Sequence, residues 1–274
     1  MKICASCKPE ENLNDTSVSV SLPQWLQQTN FVKEFIESMN AVKTPQKKTA
    51  NLLYEIDFHP SMKNKLLLLW ATVPSTSLLI KDAKSAYDNF QNCQITRVSK
   101  SGKAKIFLET PQIYYVLENN KKVVYPRHFH FVIREGNAWN TQVYTHIITP
   151  SVDKAFVSKT LKKKDAIVIN SLPKTFFKDT KIHEQVLNLP VEVIREKGKE
   201  YTKRKIRSYI QKTFPQIFQY IASKQLKVEH VPMIVYCKNE KCASAEKWMD
   251  TMLRFGYYNL YHYKKGSEDF LNKS

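Results

Sequence analysis

Residues 231–244 read VPMIVYCKNEKCAS, and they hold two of the chain's five cysteines. Cys237 ends an apolar run, and Cys242 follows five residues later. A strand that ends in cysteine and leads through a short loop into a helix is one way to activate a thiol. Backbone N–H groups at the helix start point toward the sulfur and favour its thiolate. The carboxyl end of a parallel strand is also where α/β sheets bind ligands. The plain alternative is a cysteine that merely ends a strand.

Three other groups have types and spacings that bear on chemistry. CASC at Cys4–Cys7 is a CxxC pair, but a zinc site needs two further ligands and no second pair lies nearby. Redox CxxC pairs open a helix after a strand, whereas this one lies among the first residues. A loose or locally disulfide-bonded segment is expected there. In PRHFHFV, His128 and His130 fall on one face of a strand, because side chains alternate. His146 lies on a neighbouring β segment and His59 on another. H-x-H is a two-ligand unit for zinc or iron. No carboxylate accompanies it, so no metal or other cofactor is assigned, and packing of these histidines against Tyr and Trp139 is the default. Cys93 reads as a core thiol.

The elements that must position these residues follow from texture. Residues 1–50 read as an N-terminal arm with amphipathic helix, from Trp25, Leu26, Phe31, Val32, Phe35, Ile36 and Met39 at helical spacing. Thr44–Asn51 reads as a linker. Residues 51–150 carry short runs rich in Val, Ile, Tyr and Phe, among them KLLLLWATV, KAKIFLETP and KKVVYPRHFHFVIRE. KSGK, ENNKK and EGNAWN separate them. That pattern predicts a mainly antiparallel β module, with DAKSAYDNFQN (82–92) as a single crossing helix. From 151 to 274 the apolar strands AIVIN, PMIVYC and the start of YYNLYHYKK alternate with helical stretches. Alternation of that kind predicts a parallel sheet covered on both faces. The expected class is therefore a two-domain chain with its boundary near 149–151.

At this point the residues resemble a family. IVYCKNEKCASAEKWMDTMLRFGYYNLYHYKKGSEDF is similar to the second half of a rhodanese-like sulfurtransferase domain. The matching positions are Cys237, Ala243–Ser244, Leu253, Gly256–Tyr257, Asn259–Leu260, Tyr263, Gly266 and Phe270. KDAIVINSLPKTFF and NLPVEVI resemble strands of its first half, and the likeness covers residues 152–273. It implies an α/β fold in which Cys237 carries a persulfide. The following loop, Lys238, Asn239, Lys241, Ala243 and Ser244, would then bind an anion through its N–H groups. Cys242 would resolve an oxidised Cys237 as a disulfide. The sequence departs from the family in three places. KNEK has neither Gly nor Arg, Asn170 stands where many members have Asp, and His183 is displaced by one residue from the family's histidine.

The formal charge is +18. Residues 1–150 hold 18 Lys/Arg against 12 Asp/Glu, and residues 151–274 hold 25 against 13. Lys199, Lys203 and Arg207 share a helical face, and KKK at 162–164 adds to the excess. By charge alone an anionic surface or nucleic acid is a candidate partner, although no nucleic-acid motif is present. Leu66–Ile80 is too short and too polar to span a bilayer. No secretory leader is visible, and an odd cysteine count argues against a disulfide framework, so a reducing, cytoplasmic location is expected.

Two classes of function remain from sequence. One is a sulfurtransferase acting through Cys237 on a small anionic sulfur donor. The other is a non-catalytic interaction protein with protein partners in a larger assembly. The low-glycine, Lys/Asn/Ile-rich texture and the layout ahead of the rhodanese-like segment also resemble proteins of large cytoplasmic DNA viruses. That likeness implies a virion component such as a minor capsid protein.

Overall fold

The computed structural model of the chain describes residues 30–41, 52–75 and 77–272. The described chain is mixed α/β with several sheets, one of them parallel. It falls into two compact units, one formed by 77–80 with 149–272 and the other by the remainder. Cys4, Cys7, Trp25, Leu26 and the expected linker lie outside the described residues.

In the β-rich unit the expected helix is seen as α1, Asn30–Ser38, which buries Val32 and Ile36 at i, i+4 spacing. Its strands are β1 (Leu52–Asp57), β2 (Leu66–Ala71), β3 (Lys81–Asp82), β4 (Cys93–Arg97) and β5 (Lys103–Leu108), then β6 (Tyr114–Glu118), β7 (Lys121–Tyr125), β8 (His128–Glu135), β9 (Ala138–Trp139) and β10 (Tyr144–Ile147). The central sheet runs β10-β8-β2-β4 and is antiparallel, with β9 added to β8. Its middle strand β2, LLLLWA, is buried at every position, so both of its faces meet a core. Leu66, Leu68 and Trp70 join one cluster, while Leu67, Leu69 and Ala71 join another, as alternation requires.

Two expectations change here. KKVVYPRHFHFVIRE forms two strands, β7 and β8, because Pro126 has no N–H to donate to a ladder. DAKSAYDNFQN forms only the short helix α2, Ala83–Tyr87, capped by Asp82, which accepts from the Ser85 N–H at 3.0 Å. Asp88, Asn89 and Phe90 then all take positive φ and stop the helix. The turns use asparagine where glycine is scarce. Asn119 and Asn120 adopt φ of 49° and 60° between β6 and β7, the left-handed pair a two-residue hairpin needs.

The second unit is built from α3 (Lys154–Lys163), β11 (Ile167–Asn170), α4 (Lys174–Thr180), β12 (Val186–Asn188), α5 (Val191–Thr213), α6 (Pro215–Ala222), β13 (Met233–Tyr236), α7 (Ser244–Phe255), β14 (Leu260–Tyr263) and α8 (Gly266–Leu271). The strands run parallel in the order β12-β11-β13-β14. Both faces are covered. Ile167, Ile169, Met233 and Val235 pack with Ile206, Ile210 and Trp248, while Val168, Ile234 and Tyr236 pack with Val157, Leu161 and Tyr263. The segment NLPVEVI is not a strand through its length. β12 ends at Asn188, and Pro190 leads directly into α5, which is interrupted at Gly198 with φ of 76°.

The basic face of α5 is partly consumed inside the unit. Lys203 Nζ meets the Glu229 carboxylate at 2.7 Å, and the Arg207 guanidinium lies over the Phe218 ring at 5.7 Å. Glu229 is largely covered. Burial pushes its carboxyl up, but the Lys203 bond, a backbone hydrogen bond and the positive charge of Lys203 and His230 together outweigh it and hold the group below the usual range. Glu229→Gln is expected to destabilise this unit by about 1–2 kcal/mol, since it strips a partly buried lysine of its acceptor charge. A urea midpoint unchanged from the parent would count against that role.

Candidate functional site

Cys237 follows directly on Tyr236, the last residue of β13, and is 1% exposed. Its thiol donates to the Cys242 carbonyl at 2.9 Å and more weakly to the Asn239 carbonyl at 3.6 Å. Carbonyl oxygens accept protons only, so this arrangement suits the protonated thiol. Burial pushes the Cys237 thiol up to about 12, and neighbouring Cys242 adds to this. The backbone of Ala245, in the first turn of α7, and of Asn239 pulls the other way without prevailing.

The loop's own polar groups close it. The Lys241 N–H donates to Asn239 Oδ1 and the Cys242 N–H to the Asn239 carbonyl, each at 3.1 Å. Ser244 Oγ donates to the Ser171 carbonyl at 3.0 Å, tying the start of α7 to the end of β11. Lys238 Nζ lies 3.4 Å from Glu268 Oε1, and Asn239 Nδ2 donates to Glu268 Oε2 at 2.8 Å. These contacts hold the exposed Glu268 carboxyl below its usual range, Asn239 foremost. The positive charge of Lys238 is thus met by a carboxylate.

Gly266 presses on the loop from the other side. At φ of 67° it begins α8, and the Ser267 and Glu268 N–H groups donate to the Cys237 and Lys238 carbonyls, each at 3.0 Å. So the amino end of α8 binds loop carbonyls. Glu268 was not singled out from sequence, because its role depends on a contact across 29 residues.

The remaining candidates fall elsewhere. Asn170 is fully buried, and its amide donates to Thr180 Oγ1 at 3.0 Å while its Oδ1 accepts from the Leu172 N–H at 2.9 Å. That pins the turn after β11. His183 accepts the Gln185 N–H at 3.1 Å, on the surface. Cys93, Cys237 and Cys242 form no disulfide, and Cys93 is only half-buried at the start of β4.

The structure brings His128 and His130 together and leaves His146 out. His130 pairs across the ladder with Thr145, so His146 faces the opposite side, against Tyr54 and Phe129. His59 is on the surface, capping a short turn. His128 Nε2 and His130 Nε2 lie 3.2 Å apart. Tyr87 and Tyr114, two residues that sequence spacing did not connect to them, converge on the same point. Burial holds His128 down to about 4 and His130 well below its ordinary value. Among the described residues, no group of three or more His, Cys, Asp or Glu is placed to hold a metal, and no helix is long and apolar enough to cross a membrane.

No protein-family model and no curated protein matches the chain. Solved structures do. The chain is similar to the single-domain sulfurtransferase RDL2 of Saccharomyces cerevisiae, with 14% identity over 47% of this chain and 93% of that one, at a TM-score of 0.33. It is similar to the human single-domain sulfurtransferase TSTD1, with 17% identity over 46% and 99% and a TM-score of 0.31. A third likeness is to the BH2092 protein of Bacillus halodurans, with 19% identity over 44% and 70% and a TM-score of 0.29. Rhodanese-like sulfurtransferases are therefore among its structural neighbours, at low identity and over less than half of its length.

Proposed function

We propose that residues 151–272 form a rhodanese-like unit whose resting state is a binding module in a larger protein assembly, not a working sulfurtransferase. One observation carries this reading. The Cys237 thiol is buried, donates to the Cys242 carbonyl and is pushed up to about 12. At neutral pH such a thiol stays protonated, and the thiolate is the nucleophile. Partner proteins would meet the outer surface, where Phe176 and Leu271 stand exposed. A virion as the assembly rests on sequence texture alone.

A second reading has its own support. The Ala245 backbone pulls the thiol toward ionisation, as an active loop would. If the loop opened, the Cys237 thiolate would attack the outer sulfur of thiosulfate. The S–S bond would break, sulfite would leave with the bonding pair, and Cys237 would keep a persulfide.

Thiosulfate turnover separates the two. The wild-type chain is expected to transfer sulfur no faster than Cys237→Ser. In a thiol-reagent titration Cys93 and Cys242 should react in the folded state, and Cys237 only after denaturation. Turnover by wild type that Cys237→Ser abolishes would overturn the binding-module reading and support the second.

A further inference from the structure

We infer that Tyr87, Tyr114, His128 and His130 form a structural site for a first-row transition-metal dication of the zinc class. Their four tips converge inside the β-rich unit. The His128 and His130 Nε2 atoms are 3.2 Å apart, and Tyr87 Oη lies 3.0 Å from His130 Nε2 and 3.3 Å from His128 Nε2. Tyr114 Oη is 3.2 Å from His128 Nε2 and 3.4 Å from Tyr87 Oη. A tetrahedral ion with its ligands at about 2.0–2.1 Å needs ligand–ligand edges of about 3.3 Å. Five edges of the quartet fall within 0.3 Å of that value.

The ring orientations support the same reading. His128 Nδ1 is 2.7 Å from the Pro126 carbonyl, which can only accept, so this nitrogen carries the proton. His130 Nδ1 is held by Thr145 Oγ1 at 2.8 Å. Metal-binding imidazoles are oriented in this way, with the outer nitrogen fixed and the inner lone pair aimed at the ion. The His128 Nε2 lone pair is thus aimed at this point, and that of His130 joins it when Thr145 accepts the Nδ1 proton; the two then repel each other unless a cation or proton lies between.

Charge selects the ion. All four residues are 0–2% exposed, so a net charge there would be costly. Two neutral imidazoles and two phenolates exactly offset a dication. Binding therefore converts two phenols to phenolates and releases two protons, one each from Tyr87 and Tyr114. Four protein ligands leave no open position, which fits a structural site and not a catalytic one. Without metal, the phenol of Tyr114 donates to His128 and that of Tyr87 to His130, two hydrogen-bonded pairs that form the competing state.

The full chain, purified without chelator, is analysed for metal and then stripped and titrated with cobalt(II). The expected result is one ion per chain, the visible absorption of tetrahedral cobalt, and quenching of Trp70, whose ring lies 5.5 Å from His130. Tyr87→Phe should abolish the absorption. Thr145→Val, which removes the hydroxyl that holds the outer nitrogen of His130, should weaken cobalt binding by about 10–100-fold. A chain with Cys4→Ser and Cys7→Ser should bind as before, which separates this site from the CxxC pair. Absence of the cobalt absorption in wild type, or equal binding by wild type and Tyr87→Phe, would overturn the site and leave the two hydrogen-bonded Tyr–His pairs.

Discussion

Acidification from pH 6.5 to about 4 is expected to remove several kcal/mol of stability from this protein. His146, His230 and His262 are each held at about 4. Burial is the first cause for all three, with Lys227 adding to it at His230 and Lys264 at His262. Nε2 of His146 and of His262 is buried without a hydrogen-bond partner, so nothing in the fold welcomes a proton there. In the unfolded chain each histidine takes up its proton near 6.5. The unfolded state thus binds more protons across this window, and stability rises with pH through it. It is fully present above 6.5 and lost as the pH falls toward 4. A shift of that size corresponds to roughly 3 kcal/mol per histidine at the acid end. Urea midpoints measured across the window provide the test. His146→Phe, packed between Tyr54 and Phe129, should remove one proton from the slope, about 1.4 kcal/mol per pH unit. A flat profile in wild type would exclude the effect, and an unchanged slope in His146→Phe would take that residue out of it.

Gly266→Ala should cost about 3 kcal/mol or more, and it should also release Cys237. A Cβ at Gly266 would meet the Cys237 carbonyl oxygen at 2.5 Å and the Lys238 carbonyl oxygen at 2.6 Å. Both are backbone atoms that cannot swing aside, and φ of 67° is a further strain for any L side chain. The chain can relieve the clash only by moving α8 off the loop. That move breaks the Ser267 and Glu268 N–H bonds to the loop carbonyls. Thiol-reagent labelling of Cys237 in the folded state should then speed up. Gly136→Ala is the control, since it has a similar φ of 59° but nothing within 4 Å of the added atom. It should cost only about 1 kcal/mol. Equal losses from the two substitutions would mean that the carbonyl contacts at Gly266 contribute nothing.

Much of the site's placement was legible in the residues. The run PMIVY has the continuous apolar texture of a strand buried on both faces, and β13 is buried at all four positions. The turn asparagines likewise declared themselves, because few residues other than glycine enter the left-handed region cheaply. Element ends were harder to read. Pro126 divided a run that reads as one strand, and three consecutive positive φ values stopped a helix that its spacing would have continued.

What the sequence by itself determined is the local order: a strand, a cysteine, a short glycine-free loop and a helix, with an H-x-H pair on one face of another strand. Spacing along the chain is enough for these, since the period of two or 3.6 sets which side chains share a face. The state of the groups was decided by tertiary structure alone. Cys237 is held as a thiol because the loop folds the Cys242 carbonyl onto it while Gly266 and Glu268, 29 and 31 residues on, close the loop from outside. His128 and His130 gained two tyrosine partners from 14 to 43 residues away in the chain, while His146 was turned to the other face by its ladder register. Protonation and ligation depend on what lies within about 4 Å in space, and only the packed fold brings those groups together.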